Sequence, residues 1–170
     1  MRTKTANSIL ISILVLFLSC KNIAQIEPPT KEEIAIGMDN ALGEVNKQEA
    51  ELHIINDLDR GKVKAEKEGK PILLIFTGYG VINSRKLESE VIFKNERILN
   101  LLKNKFINVW LYVDDNSENG KKWNELQTLE FKGNYQPQIF ILDSKGNILD
   151  GGIGYKESKQ ELLQLLEKYK

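Results

Sequence analysis

Sulfur and imidazole are almost missing from this chain, and each shortage excludes a chemistry. Among 170 residues there is one cysteine, Cys20, and one histidine, His53. A single thiol forms no intramolecular disulfide, no redox pair and no thiolate cluster. One imidazole beside it excludes the usual His/Cys zinc sites, so neither a metal nor a cofactor is expected. Net charge is missing too: 24 Lys plus Arg balance 24 Asp plus Glu. That balance leaves no basic excess for nucleic acid or an anionic surface to select, and no nucleic-acid partner is expected. Lys62, Lys64, Lys67 and Lys70 alternate with Glu66 and Glu68 and read as a solvated helix face rather than a binding patch. Internal repeats and low-complexity segments are also absent. No apolar run approaches the roughly 20 residues that span a bilayer.

What is present suits one domain with a proper core. Hydrophobic residues make up 41% of the chain and charged residues 28%, ordinary values for a soluble globular protein. The first residues form an export signal: Arg2 and Lys4, then an apolar run from Ile9 to Leu18 broken only by Ser12. Leu18-Ser19-Cys20 closes it in a way that resembles a bacterial lipobox, so residues 1–19 are expected to be removed and Cys20 acylated. The domain would then touch a membrane only through this N-terminal lipid, in the periplasm or at the outer membrane. Cleavage after Ala24 to give a soluble exported protein is the alternative, and either route takes Cys20 out of thiol chemistry.

Residues 20–50 read as a tether, Ile26-Glu27-Pro28-Pro29-Thr30, followed by a short amphipathic helix over 31–48. Its stripe is Ile34, Met38, Leu42 and Val45, with Gly37 and Gly43 lowering its stability. From residue 51 strands and helices alternate. Leu52 to Ile55 predicts a first strand and Asp57 to Glu68 a helix stopped by Gly69-Lys70-Pro71. Ile72 to Phe76 is apolar at every position, as in a strand covered on both faces. A helix over Ser84 to Glu90, a second capped by Asn95, a buried strand over Ile107 to Val113 and a helix over Trp123 to Phe131 follow. Asp143-Ser144-Lys145-Gly146 joins Gln138 to Leu142 and Asn147 to Asp150 as an antiparallel hairpin. Gly151 to Gly154 reads as a turn, and Ser158 with Glu161 as the capping box of a closing helix.

The stretch Phe76-Thr77-Gly78-Tyr79-Gly80-Val81-Ile82-Asn83-Ser84-Arg85-Lys86-Leu87-Glu88 resembles the active-site turn in the C-terminal domain of DsbD-type thiol:disulfide interchange proteins. There the turn runs roughly Phe-Thr-Gly-aromatic-x-Cys-x-x-Cys-Arg-Lys-x-Glu. Gly69-Lys70-Pro71, Leu111-Tyr112-Val113-Asp114-Asp115 and Asn134-Tyr135-Gln136-Pro137 follow the same family order. The resemblance covers residues 51–170 and implies an α/β thioredoxin-like fold: a central mixed sheet flanked by helices, with an N-terminal strand and helical extension. It also implies a cis bond before Pro137. It places Val81 and Ser84 where the family carries its two cysteines, and Ile75 where many thioredoxins keep a buried acid.

On that alignment thiolate attack, resolution by a second thiol and proton transfer each lose their residue. No catalytic residue is expected, and Ser84 is read as a helix cap rather than as a nucleophile. Asp114, Asp115 and Glu118 lack the oxygen spacing of a calcium loop and read as a solvated loop. Trp110 and Tyr112 are expected in the core. What remains is a groove between the turn and the Pro137 loop, formed by Tyr79, Val81, Ile82, Gln136 and Pro137, where an extended polypeptide would bind through its backbone. The groove is otherwise filled by its own side chains or by the 31–48 helix. The sequence thus points to a redox-inactive thioredoxin-like module with a protein or peptide partner. A family member assisting disulfide exchange with a cysteine-bearing partner, or a purely structural accessory domain, are the alternatives.

Overall fold

The computed structural model describes residues 50–170; Cys20, the tether and the expected 31–48 helix lie outside them. Asp57 opens the first helix by accepting a hydrogen bond from the Arg60 N–H at 2.8 Å. Helix α1 (Leu58–Glu68) then runs to Gly69, which takes the left-handed conformation at φ 63° that commonly ends helices. Strand β1 (Ile72–Thr77) is buried at all six positions. After a tight turn comes α2 (Ile82–Lys86), which widens into a π-helical stretch over Leu87–Ile92. Asn95 caps α3 (Glu96–Lys105) by accepting from the N–H groups of Arg97 and Ile98, as the sequence predicts. Strand β2 (Ile107–Tyr112), helix α4 (Glu118–Leu129), the hairpin β3 (Gln138–Leu142) and β4 (Ile148–Ile153), and α5 (Tyr155–Lys168) complete the chain.

The strands form one sheet in the order β2-β1-β3-β4. β1 is parallel to β2 and antiparallel to β3, and β3 is antiparallel to β4. Alternation along β1 sends side chains to opposite faces. Leu73 and Ile75 pack under the π-helical stretch, α3 and α5 with Leu87, Ile92, Leu102, Leu162 and Leu166. Ile72, Leu74 and Phe76 pack under α1 and α4 with Leu58, Ala65, Trp123 and Phe131. The second layer includes a triad of rings: Phe131 lies 5.0 Å from Phe76 and 4.9 Å from Phe140, centroid to centroid. Two apolar layers on a fully buried central strand are what holds α/β folds together.

Three local expectations need correction. The N-terminal strand over Leu52 to Ile55 shrinks to a single parallel bridge between Ile55 and Val109. His53 adopts φ 50° and breaks the run. The Asn56 side-chain amide then donates to the Trp110 carbonyl at 3.0 Å, taking an acceptor that a continuing strand would use. The last helix starts at Tyr155, with the Glu157 carboxylate accepting from the Gly154 N–H. Ser158 lies inside that helix and bonds the Tyr155 carbonyl. Gly151 and Gly152 belong to β4 rather than to a turn.

Two side-chain clusters hold α5 to its neighbours. Glu90 accepts from the Tyr155 hydroxyl and from Lys159, and Asp150 accepts from Lys168 and the Tyr169 hydroxyl. The Tyr155 hydroxyl first, then Lys159, hold the Glu90 carboxyl below its ordinary range. Lys168 first, then the Gly151 N–H, do the same for Asp150. A lowered folded-state pKa stabilises the fold above the unfolded value, about 4 for carboxylates, and that stabilisation is lost as pH falls through the lowered value. Amide exchange across α5 should therefore accelerate below about pH 4 before the sheet responds. Glu90→Gln with Asp150→Asn should flatten this pH dependence; an unchanged profile would show that the clusters do not hold the helix.

Candidate binding site at the strand-to-helix turn

Parallel pairing of β1 with β2 brings Thr77 beside Tyr112. Pairing of β1 with β3 brings Phe76 beside Gln138. The turn after β1, the acidic loop after β2 and the Pro137 loop before β3 therefore meet at one end of the sheet. The Gln136–Pro137 bond is cis, as the resemblance implies.

Asp114 shapes the turn. Its two carboxylate oxygens accept from the Tyr79 and Gly80 N–H groups, both at 2.8 Å. Such charge-assisted bonds satisfy main-chain donors that the tight turn leaves without a strand partner. Gly78 makes this approach possible: a Cβ there would meet Val81 Cγ2 at 2.6 Å and Asp114 Oδ2 at 2.9 Å. Asp115 is engaged as well, accepting from the N–H and the hydroxyl of Ser117, which hold its carboxyl below the usual range. Among the described residues there is no group of three or more side chains able to hold a metal ion.

The five groove candidates fall around this frame. Tyr79 is 60% exposed and Ile82 is 71% exposed. Val81, at the N-cap position of α2, is half-buried. Tyr79 stacks on Tyr112 at 4.0 Å between centroids, and both border a cleft of 450 Å³ lined also by Ala50, His53, Ile54 and Asn56. Tyr112, half-buried and packed against the core as its strand face predicts, is at the same time a lip of the cleft, whereas Trp110 is fully buried. Arg85 lies over the Tyr112 ring at 5.9 Å and pairs at 2.6 Å with Glu88, which is 5% exposed. The same guanidinium reaches the Thr77 hydroxyl at 3.4 Å.

Ser84 does not cap the helix. It sits three residues after the N-cap position, fully buried, and its Oγ has no hydrogen-bond partner among the described residues. Ile75 is buried in the sheet, packed with the α3 and α5 side chains. Residues 50–170 contain neither cysteine nor methionine.

The Pro137 loop is fixed from behind by three glutamines. Gln127, 0% exposed on α4, donates to the Tyr135 carbonyl and to Gln138 Oε1, both at 2.9 Å. Its own Oε1 accepts from the Gln136 amide at 2.8 Å. A buried amide with its donors and acceptor engaged positions the segment on either side of Pro137. Sequence reasoning missed this network, and also Asp114, Arg85 and Glu88. The available signal was the clustering of Gln127, Gln136 and Gln138 within twelve residues, two of them flanking the proline.

A mixed sheet with helices on both faces, a strand-to-helix turn at its end and a cis-proline loop beside it define a protein of the thioredoxin fold. A family model described as a thioredoxin-like domain matches residues 58–170, and the chain belongs to that family. One solved structure supports the fold, and others are similar at lower scores. A thioredoxin from Thermus thermophilus superposes with a TM-score of 0.52 at 14% identity, over 65% of this chain and 81% of that one. The reduced C-terminal domain of Neisseria meningitidis DsbD gives 0.46 at 18% identity, over 66% and 94%. A poplar thioredoxin h mutant gives 0.49 at 21%, over 68% and 80%. No curated protein matches the chain.

Proposed function

We propose that this protein is a redox-inactive, envelope-located member of the thioredoxin-like family that holds an extended polypeptide against the former active-site turn. The observation that carries the reading is the composition of the turn: the side chain at the first cysteine position is Val81, a hydrocarbon with no atom to ionise or to share an electron pair. At the second position the Ser84 hydroxyl is buried and forms no disulfide. Ile75 supplies no proton. With thiol chemistry removed, the exposed apolar surface of Ile82 and the aromatic lip of Tyr79 have a use in contact with a partner. The main chain at Gln136, aligned by the glutamine network, offers backbone hydrogen bonding of the strand-addition kind.

The test combines two assays. The chain should not reduce insulin with dithiothreitol present beyond the uncatalysed rate, whereas Val81→Cys with Ser84→Cys should restore a weak activity. Peptides selected from a random library on the unaltered chain should bind Ile82→Asp about tenfold more weakly or worse. Insulin reduction by the unaltered chain would favour disulfide exchange with a cysteine-bearing partner instead. Equal peptide binding by Ile82→Asp would leave a structural accessory role. Anchoring through Cys20 belongs to the same reading; palmitate labelling in cells should disappear in Cys20→Ala, and labelling that persists would remove the anchor.

A further inference from the structure

Folding sorts the charges of α1 in a way the linear sequence conceals. Arg60, Lys64 and Lys67 stand at i, i+4 and i+7, so they share one helix face. Val63 lies beside them and is 70% exposed. With Ile55, the single residue bridging the sheet edge, and Asp59, they line a cleft of 500 Å³. Two of the three acids of the helix, Asp59 and Glu68, are already engaged, and the third, Glu66, does not line the cleft. Asp59 is paired with Lys62 at 3.3 Å and with Lys122 at 3.8 Å. Glu68 is paired with Lys70 at 2.8 Å and more distantly with Lys64 at 3.8 Å. Neither Arg60 nor Lys67 has an ion pair among the described residues. In a chain with no net charge, an apolar floor under three cations is a local excess rather than a background.

We propose that this face is a second docking surface, for an acidic amphipathic segment of a protein partner. One apolar side chain of that segment would sit on Ile55 and Val63, and flanking carboxylates would meet Arg60, Lys64 and Lys67. Charge complementarity selects the acidic partner, because a basic or neutral segment would leave Arg60 and Lys67 unanswered, and Lys64 has only a distant partner in Glu68 at 3.8 Å. Asp59 favours a polypeptide over a lipid surface: its carboxylate stands among the lining residues, where an anionic layer would meet it. The surface shares no residue with the groove candidates, although Ile55 stands between Ile54 and Asn56, which line the cleft beside Tyr79. Helix α1 covers the sheet face of Ile72, Leu74 and Phe76, whereas the π-helical stretch that follows the turn covers the opposite face with Leu73 and Ile75. Occupied together, the two surfaces would make the domain a bridge between two polypeptides.

The experiment is fluorescence anisotropy with a labelled helical peptide of Glu/Leu heptads, its Lys/Leu counterpart, and phosphatidylglycerol vesicles as a third probe. The acidic peptide should bind saturably, and added salt should weaken it. Val63→Asp, and separately Arg60→Glu with Lys64→Glu and Lys67→Glu, should each weaken binding about tenfold or more. All four positions are at the surface, so circular dichroism should confirm unchanged folding. The charge-reversed variant should gain affinity for the Lys/Leu peptide. No binding of the acidic peptide, binding indifferent to both variants, or binding of the vesicles alone would each overturn the proposal.

Discussion

Replacing Gln127 by leucine should destabilise the domain by about 2–4 kcal/mol, the cost of leaving one buried and two partly buried polar groups unpaired. Leucine fills a similar volume, so packing is little changed and the effect isolates hydrogen bonding. The loss falls on the Tyr135 carbonyl, Gln138 Oε1 and the Gln136 amide, which exchange bonds with Gln127 at 2.8–2.9 Å. Gln138 is buried, so water does not readily replace its lost bond, whereas Tyr135 and Gln136 are partly open to water. Each stranded group contributes about 1–3 kcal/mol, less whatever the loop recovers by shifting. The measurement is urea unfolding followed by tryptophan fluorescence, with amide shifts recorded across residues 134–138. A midpoint change equivalent to less than about 1 kcal/mol would mean that the network is incidental to the loop. Because the same loop forms one wall of the proposed groove, peptide affinity should fall in this variant even under conditions where it remains folded.

The second large effect is expected at Gly151, where alanine should cost about 3 kcal/mol. Two independent penalties meet there. The residue has φ 124°, which side-chain-bearing residues rarely adopt. A Cβ would also lie 2.5 Å from the Ile139 carbonyl oxygen and 2.5 Å from Phe140 Cα, both backbone atoms of the partner strand. Gly69→Ala supplies the comparison. Gly69 also has positive φ, at 63°, but nothing lies within 4 Å of where its Cβ would stand. Its substitution should cost about 1–2 kcal/mol from conformation alone. The difference between the two variants in denaturant unfolding measures the close approach of β4 to β3. Equal costs would show that the strands, whose register shifts between Ile139 and Phe140, can part there without loss.

The order of elements was readable because β1 is apolar at five successive positions, Ile72 to Phe76, and the surrounding helices carry clear stripes. Asn95 and Gly69 marked helix ends through local chemistry that needs no tertiary context. The misreadings have a common physical source. Leu52 to Ile55 has strand composition, but the positive φ of His53 and the Asn56 side chain end the pairing after one bridge, and neither is written in hydrophobic periodicity. Ser158 matched a capping pattern, yet Gly154 and Glu157 cap the same helix one turn earlier. At the site, the turn was legible from its own residues, while its support came from elsewhere in the chain. Asp114 lies 34 residues from Gly80 and Gln127 lies nine from Gln136. Polar side chains that act across such separations look like solvated surface until the fold brings them in.

Both outer strands of the sheet end in hydrogen bonds made by side chains. On β2, Asn56 takes the Trp110 carbonyl; on β4, the hydroxyls of Tyr169 and Tyr135 take the carbonyls of Leu149 and Gly152. Exposed strand edges are templates on which further copies align and polymerise. Each of these bonds occupies an edge acceptor that a further strand would need, so addition at either margin would first have to displace an asparagine or tyrosine side chain.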